Sequence, residues 1–291
     1  MSAVSAYETF RALHHGDRPL VLPNAWDHAS AAALHRRGFA AVGTTSLGVA
    51  AGAGLPDGAG AARAETLALG RGLARLPVPV TVDIEGGFGD DPAHVAELAA
   101  ELARAGVAGV NIEDGLADGT LTDPARHAAK ITAVKEAAPA LFVNARTDTH
   151  WLGADPTVRA AVSRCAAYAA AGADGVFVPG VTSLHDICAL TAEADAPLNV
   201  LHSPAGPTGD ELAQAGVRRI SLGSLLFRAA LGRAVELAWS VAQPGGGGAG
   251  TASRMPPDAP GYGEVQDLHK EFGGGGSGGG GASPASRTPP A

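Results

Sequence analysis

From Leu20 to about residue 242, short apolar runs alternate with alanine-rich stretches whose apolar residues fall three or four apart. The runs are LVLPNA (20–25), AAVGTTS (40–46), VPVTVDI (78–84), VAGVNIE (107–113), LFVNAR (141–146), GVFVP (175–179), LNVLH (198–202) and RRISLG (218–223). Between them lie segments such as HASAAALHRRG, RAETLALGRGLARL and PAHVAELAAELARAG. Strands alternating with helices in this way imply βαβ units and a parallel sheet. Helices cover both faces of such strands, so the strands are expected to be apolar almost throughout. Eight units fit a closed barrel or an open doubly wound sheet. The open sheet would carry a glycine-rich fingerprint after its first strand, and PNAWDH stands there instead. AGVAGV, AGADGVFV and AGVRRIS repeat one device, a glycine that ends a helix just before the next strand. The pattern predicts an α/β fold, a (β/α)8 barrel over residues 1–242 with an N-terminal helix before its first strand.

Residues 243–291 break the rhythm. They hold 15 of the 41 glycines and 7 of the 20 prolines, a composition that cannot bury enough apolar surface to offset chain entropy. A flexible tail is expected there. Within it, GYGEVQDLHKEF (261–272) suits one short amphipathic helix that docks on the barrel or on a neighbouring subunit.

Composition narrows the function classes. A formal net charge of -8 without a basic stripe argues against nucleic acid as a partner. Two cysteines, Cys165 and Cys188, are too few and wrongly spaced for a disulfide scaffold, so a reducing compartment is expected. The N-terminus carries Glu8 and Arg11 where a signal peptide needs an apolar stretch, and no apolar run approaches the roughly 18 residues of a membrane span. The expectation is a cytoplasmic protein with no membrane partner.

In a barrel the active site lies at the C-terminal ends of the strands. Reading only those ends gives Asn24, Asp27, Thr45, Ser46, Asp83, Glu85, Glu113, Asp114, Asn144, Arg146, Asp148, His202 and Ser203. Asp83 and Glu85 are two apart, so they share a face, and Glu113 ends the next strand. Three carboxylates this close repel one another unless a cation sits among them. Oxygen ligands alone favour Mg²⁺, or Mn²⁺, over Zn²⁺. Asp90 and Asp91, before Pro92, suit helix caps instead.

Arg146, with Asn144 on the same face, suits capture of a carboxylate or stabilisation of an enolate oxygen, and a structural pair with Asp148 is the alternative. Thr45, Ser46, Leu47 and Gly48 offer backbone N–H groups to a substrate carboxylate. Loop 48–58 is glycine-rich enough to move as a lid, with Asp57 either a catalytic group or a turn former. Asp57 and His202 are the candidates for proton transfer. His94, His127 and His185 are expected on helix surfaces, and both cysteines as small buried hydrophobes. Trp26 and Trp151 suit either a pocket wall or simple packing.

These motifs resemble the isocitrate lyase and phosphoenolpyruvate mutase superfamily. The resemblance runs through LPNAWD (22–27), TTSLG (44–48), VDIEGGFG (82–89), GVNIEDG (109–115), NARTD (144–148), GADGVFVPG and GVRRISLGSLLFRAAL (217–231), and so covers nearly all of residues 1–242. It implies direct Mg²⁺ binding at Asp83, with Glu85 and Glu113 acting through water. Arg146 is then matched to binding of the 2-oxo acid and TSLG to its carboxylate. The implied chemistry is a pyruvate enolate stabilised by Mg²⁺ while a C–C or P–C bond breaks or forms. The implied assembly is a homo-oligomer, dimer or tetramer, that exchanges the last barrel helix.

Two departures fall at the loops that decide substrate. Isocitrate and methylisocitrate lyases carry a cysteine in a KKCGH- or KRCGH-like loop, and neither GGFGDDPAHVAE nor EDGLADGTLTDPARHAAK contains one. Phosphonate enzymes carry Lys and Asn after the fourth strand, where GLADGTLTD has neither. The expectation is a Mg²⁺-dependent lyase that cleaves or decarboxylates a small 2-oxo or 2-hydroxy dicarboxylate. The alternatives are a P–C bond enzyme, a phosphonopyruvate hydrolase or phosphonomutase, and a barrel that binds metal and 2-oxo acid without turnover.

Overall fold

A computed structural model describes residues 4–242 and 259–273. Most of the expected flexible tail, 243–258 and 274–291, lies outside the described residues. The parallel strands are β1 (Leu20–Leu22), β2 (Asn24–Ala25), β3 (Val42–Thr44), β4 (Val80–Asp83), β5 (Gly109–Glu113), β6 (Phe142–Arg146), β7 (Gly175–Val178), β8 (Leu198–Leu201) and β9 (Arg219–Ser221). β1 pairs with β9 and β2 with β3, in the registers Leu20↔Arg219 and Asn24↔Gly43. A single residue, Pro23, separates β1 from β2, so the two sheet ends are one stave of an eight-staved barrel. Proline has no N–H to give the ladder, yet its carbonyl still accepts from Gly43 N–H at 2.9 Å.

The helices are α1 (Ala6–Leu13), α2 (His28–Arg37), α3 (Ser46–Gly52), α4 (Arg63–Leu73), α5 (Pro92–Arg104), α6 (Pro124–Ala137), α7 (Val158–Ala170), α8 (Leu184–Glu193), α9 (Gly209–Gln214) and α10 (Leu225–Ala242). None is long and apolar enough to cross a membrane. Asp91 caps α5 by accepting Ala93 N–H at 2.9 Å, and Asp123 caps α6 through Ala125 N–H at 3.0 Å, each just before a proline. Asp90, expected to cap as well, instead faces Lys130 Nζ at 3.6 Å. The glycines of the repeated device, Gly106, Gly172 and Gly216, adopt φ of 97°, 100° and 84°, the left-handed turn that leads from helix into strand.

Outward strand residues such as Val82, Val110, Ile112 and Val143 pack on Leu98, Leu102 and Ile131 of the helices. Val176, Val200 and Ile220 do the same against Ile187, Leu190 and Leu212. The inward face differs from the expected apolar run. Asn144 Nδ2 donates to Asn111 Oδ1 at 2.9 Å, which also accepts from Arg219 Nη2 at 3.2 Å. Ser221 Oγ accepts from Arg219 Nε and from Asn199 Nδ2, both at 3.0 Å. Strands alternate, and in a small barrel the inward side chains meet only one another, so polar groups persist there where they bond mutually.

α1 closes the base of the barrel. Phe10 and His14 lie 5.2 and 4.3 Å from the Phe142 ring, centroid to centroid, beside Leu20 and Leu22. Burial, helped by the nearby Arg219 charge, holds the His14 imidazole neutral, its pKa pushed down to about 3. His127, expected on a surface, is fully buried against Tyr168, ring centroids 4.7 Å apart, and burial lowers its pKa to about 4. Its neighbours Lys130, Ile131 and Val134 mark the inward stripe of α6 on which it falls. His94 and His185 are exposed as expected. Cys165 is buried, whereas Cys188 is exposed on α8.

The segment at 261–272 does dock. α11 (Tyr262–Gln266) continues into a 3₁₀ turn, Asp267–Phe272, rather than one regular helix. Arg36 of α2 holds both pieces through Glu271 Oε1 at 2.7 Å, the Glu264 carbonyl at 3.2 Å and the Asp267 carbonyl. Phe272 is buried beside His28, ring centroids 5.2 Å apart.

Candidate active site

The C-terminal strand ends surround a cavity of about 330 Å³. Asp83 ends β4, Glu113 ends β5 and Arg146 ends β6, with Glu113 and Arg146 paired in register. Asp148 and, from the far loop, Asp57 complete the charged wall. Arg146 Nη1 lies 2.6 Å from Glu113 Oε2, its Nε donates to Asp148 Oδ1 at 2.6 Å, and its guanidinium sits 5.7 Å over the Phe177 ring. The pair with Asp148 that the sequence left as an alternative is therefore formed, in the cavity wall itself.

The electrostatics are those of crowded acids in a buried place. Burial pushes the Glu113 carboxyl up to about 8; Arg146 opposes this, while Asp83, Asp148 and Asp57 add to it. Burial likewise raises Asp83 and Asp148, against the pull of Arg146. For Arg146 burial works toward a lower pKa, but the charges of Glu113, Asp148 and Asp83 outweigh it and raise the value. A further cation among these acids would relieve their repulsion.

Glu85 stands apart from this wall. Its backbone is in the left-handed region at φ 50°, and its buried carboxylate accepts Gly60 N–H at 2.9 Å through Oε2. Oε1 has no protein partner, and burial raises this carboxyl too. Its N–H donates to Asp83 Oδ1 at 3.2 Å, which links it to the cavity through the backbone. Among the described residues no three His, Cys, Asp or Glu side chains gather closely enough to hold a metal between them. Three acids as direct ligands thus do not match the side-chain positions. The donor chemistry does fit Mg²⁺, which takes one or two carboxylate oxygens and keeps several waters. Asp83 in the wall supplies one such donor, and the Glu85 Oε1, without a protein partner, is a second carboxylate oxygen of the same strand end.

Thr45, Ser46 and Leu47 line the cavity where α3 begins. Thr45 makes no side-chain cap bond, which leaves the first-turn N–H groups without that partner. Gly48 does not reach the cavity; a Cβ on it would lie 2.7 Å from Trp26 Cβ, so it is the point where α3 packs on Trp26. The expected lid at 48–58 begins as helix, since α3 runs to Gly52. Only its second half overhangs the cavity, through Asp57 and Gly58, and Glu85 tethers the adjoining Gly60.

Two expected site residues lie elsewhere. Asn144 is not in the cavity lining; its amide donates to Asn111, its in-register neighbour, which is. His202 follows the inward-facing Leu201, so strand alternation turns its side chain off the cavity wall. Trp151 does line the wall, whereas Trp26 packs against Phe227 with ring centroids 5.6 Å apart.

Asp114 carries a supporting role that the strand-end reading did not assign. It is fully buried and accepts from Tyr168 Oη at 2.6 Å, Arg164 Nη1 at 2.9 Å and Asp148 N–H at 2.8 Å. Asp148 is thereby fixed, and through it Arg146. The available signal was the Glu113–Asp114 doublet at a strand end, where alternation sends one acid into the cavity and the other away from it.

A closed (β/α)8 barrel with acids and a braced arginine at its C-terminal mouth defines a barrel enzyme of the acid-lined kind. Residues 10–242 match the phosphoenolpyruvate phosphomutase family, and the chain belongs to that family, within the phosphoenolpyruvate mutase and isocitrate lyase superfamily of lyases and mutases. An uncharacterised protein of Mycobacterium tuberculosis (strain ATCC 25618 / H37Rv) is 45% identical over 80% of this chain and 88% of its own. The 2-methylisocitrate lyase of Bacillus subtilis (strain 168) is 32% identical over 76% of each chain. The crystal structure of a 2,3-dimethylmalate lyase superposes with a TM-score of 0.76 at 26% identity, over 92% of this chain and 95% of that one.

Proposed function

We propose that the protein is a Mg²⁺-dependent lyase that breaks a carbon–carbon bond of a small 2-oxo or 2-hydroxy acid. The crowding of Asp83, Glu113 and Asp148 around Arg146 at the barrel mouth carries this reading. Asp83 would hold the ion directly, with Glu113 and Glu85 acting through water. When bound, Mg²⁺ supplies the charge that stabilises an enolate oxygen as the bond breaks. Arg146, braced on Nε by Asp148, presents its remaining donors to the substrate carboxylate as a pre-oriented fork. The N–H groups at the start of α3 bind the same carboxylate from the other side. Asp57, on the overhanging loop that lines the cavity, would move a proton at the mouth. Relatives named as lyases support the reaction class.

The second reading, P–C bond chemistry, draws on the family's own description. A phosphonyl group would need cations at the mouth, and among the described cavity residues Arg146 is the sole one. The test is a panel of oxaloacetate, 2-methylisocitrate, 2,3-dimethylmalate and phosphonopyruvate with Mg²⁺, followed by pyruvate release. Turnover on a carbon acid, lost by roughly a thousandfold in Asp83→Ala, is expected. Phosphate released from phosphonopyruvate would select the second reading. Pyruvate release that survives Asp83→Ala unchanged would sink the metal assignment.

A further inference from the structure

Arg219 of β9 is completely buried inside the barrel, its guanidinium carbon 5.9 Å from the centre of the Phe10 ring. Burial lowers its pKa to about 9, against the pull of Asp83, so it keeps its charge at neutral pH. A charge in such a place is costly unless it is paired. Among the described residues, however, its hydrogen-bond partners are neutral. Nη2 donates to Asn111 Oδ1 at 3.2 Å, Nε donates to Ser221 Oγ at 3.0 Å, and Nη1 has no partner. Arg146, by contrast, is met by Glu113 and Asp148. The barrel thus holds one guanidinium answered by carboxylates and one that is not.

Nε and Nη2 lie along one edge of the guanidinium, so Asn111 on β5 and Ser221 on β9 are brought side by side across the barrel. Both line the cavity. A guanidinium offers donors only, which settles how each partner is turned. Asn111 must face it with its oxygen, and a second donor, Asn144 Nδ2 at 2.9 Å, fills that oxygen's remaining lone pair. The Asn111 NH₂, for which no described residue supplies an acceptor, is the polar group left for the cavity. Ser221 Oγ also accepts from Asn199 Nδ2 at 3.0 Å, so its O–H is likewise left to donate. Asn24, another amide in the lining, is fully engaged. Its Nδ2 donates to the Thr44 carbonyl at 2.7 Å, and its Oδ1 accepts from Leu222 and Gly223 N–H at 3.1 and 2.8 Å. Asn111 stands in register beside Asp83 and two residues before Glu113, on the same face of β5. Free donors with a positive charge behind them, beside the acids assigned to Mg²⁺, suit an anionic oxygen.

We infer that Arg219 is a positioning residue: it fixes Asn111 and Ser221 as paired donors to an anionic oxygen of the substrate, one that Arg146 and the α3 amides leave free. The inference rests on the 2-oxo-acid reading given above and adds a second point at which such an acid is held. Calorimetry on the full-length protein with Mg²⁺ tests it, with oxalate and its monoamide, oxamate, as probes. The two have nearly the same shape and differ by one charge. Wild-type protein is expected to bind oxalate more tightly than oxamate. Arg219→Met removes the charge and the fork. Ser221→Ala removes one donor, a smaller change that keeps the test open should Arg219→Met not fold. Each is expected to weaken oxalate by about tenfold or more and to cut its preference over oxamate by about fivefold or more, because a hydrogen bond to a charged group outweighs one to a neutral group. Loosened packing alone would weaken both probes alike and leave the preference intact. If wild-type protein binds the two alike, or the preference survives in either variant that folds, the inference falls and the 2-oxo-acid reading stands. If oxalate does not bind wild-type protein, both fall.

Discussion

Replacing Asp114 by asparagine tests whether the site is held from behind. The carboxylate is fully buried, with Oδ1 accepting Asp148 N–H and Oδ2 accepting both Tyr168 Oη and Arg164 Nη1. An asparagine that keeps its oxygen on Asp148 N–H turns its NH₂ toward the Arg164 guanidinium, donor against donor. An asparagine that flips leaves Asp148 N–H unpaired instead. Either way Arg164, whose side chain is only 16% exposed, loses its carboxylate. Breaking a buried charge pair by removing one partner costs about 3–5 kcal/mol. Tyr168→Phe deletes only the hydroxyl bond to a charged group, about 1.5–3 kcal/mol. Against a total stability of about 5–15 kcal/mol, the asparagine change is large. Urea unfolding followed by circular dichroism should show the midpoint falling while the slope is unchanged. The double variant should lose less than the sum of the two singles, by at least about 1 kcal/mol, because both act on one network. A loss below about 1 kcal/mol for Asp114→Asn, or strict additivity, would refute the claim that this network braces Asp148 and Arg146.

The base of the barrel gives a pH prediction. His14 has its folded pKa lowered to about 3, so its contribution is complete above the unfolded value near 6.5 and is lost as pH falls below it. At pH 5 the folded protein has lost about 2 kcal/mol from this site. His14→Phe should therefore flatten the stability profile between pH 7 and 4.5, and parallel profiles for the two proteins would count against it. Arg146→Lys reaches one of the two carboxylates rather than both. It should cut kcat/KM for the best panel substrate by roughly a hundredfold, read from steady-state kinetics. Retained activity would show that the fork is not used. On α10, Leu231, Val235 and Trp239 are 54%, 57% and 63% exposed and stand four residues apart on one stripe. The protein is expected to sediment as a dimer or tetramer through this stripe, and Trp239→Glu to shift it toward the monomer; a monomeric wild type would end that proposal.

Much of the fold was legible because it is periodic. Strand and helix order, the Asp91 cap and the glycine exits at Gly106, Gly172 and Gly216 all follow from local rules that the structure obeys. The polar barrel interior was not legible, because a run such as VNIE does not say which of its faces meets a helix and which meets other strands. Asn111 and Arg219 take that second face, where their partners come from strands far away in sequence. At the site, strand ends located Asp83, Glu113 and Arg146. His202 and Asn144 passed the same filter and are not in the cavity lining, since position at a strand end fixes neither facing nor partners, and the Asn144 amide is turned to Asn111. Leu116 went unremarked because loop residues carry no period, whereas Trp151, read as pocket wall or packing, does line the cavity. The hairpin that fixes Leu116 depends on bonds to Thr120 and Asp114 that spacing does not announce.

Closure through Pro23 also sets a timetable for synthesis. Leu20 and Leu22 leave the ribosome early, but the partner of Leu20 in β9, Arg219, follows only after about two hundred more residues. At roughly 5–20 residues per second that interval is on the order of ten to forty seconds. Throughout it the free edge of β1 lacks the partner that later covers it. The nascent chain therefore depends on slow long-range pairing at its last step. A substitution in β9 would be felt first as a loss of yield during translation, before it is felt as a change in the mature enzyme.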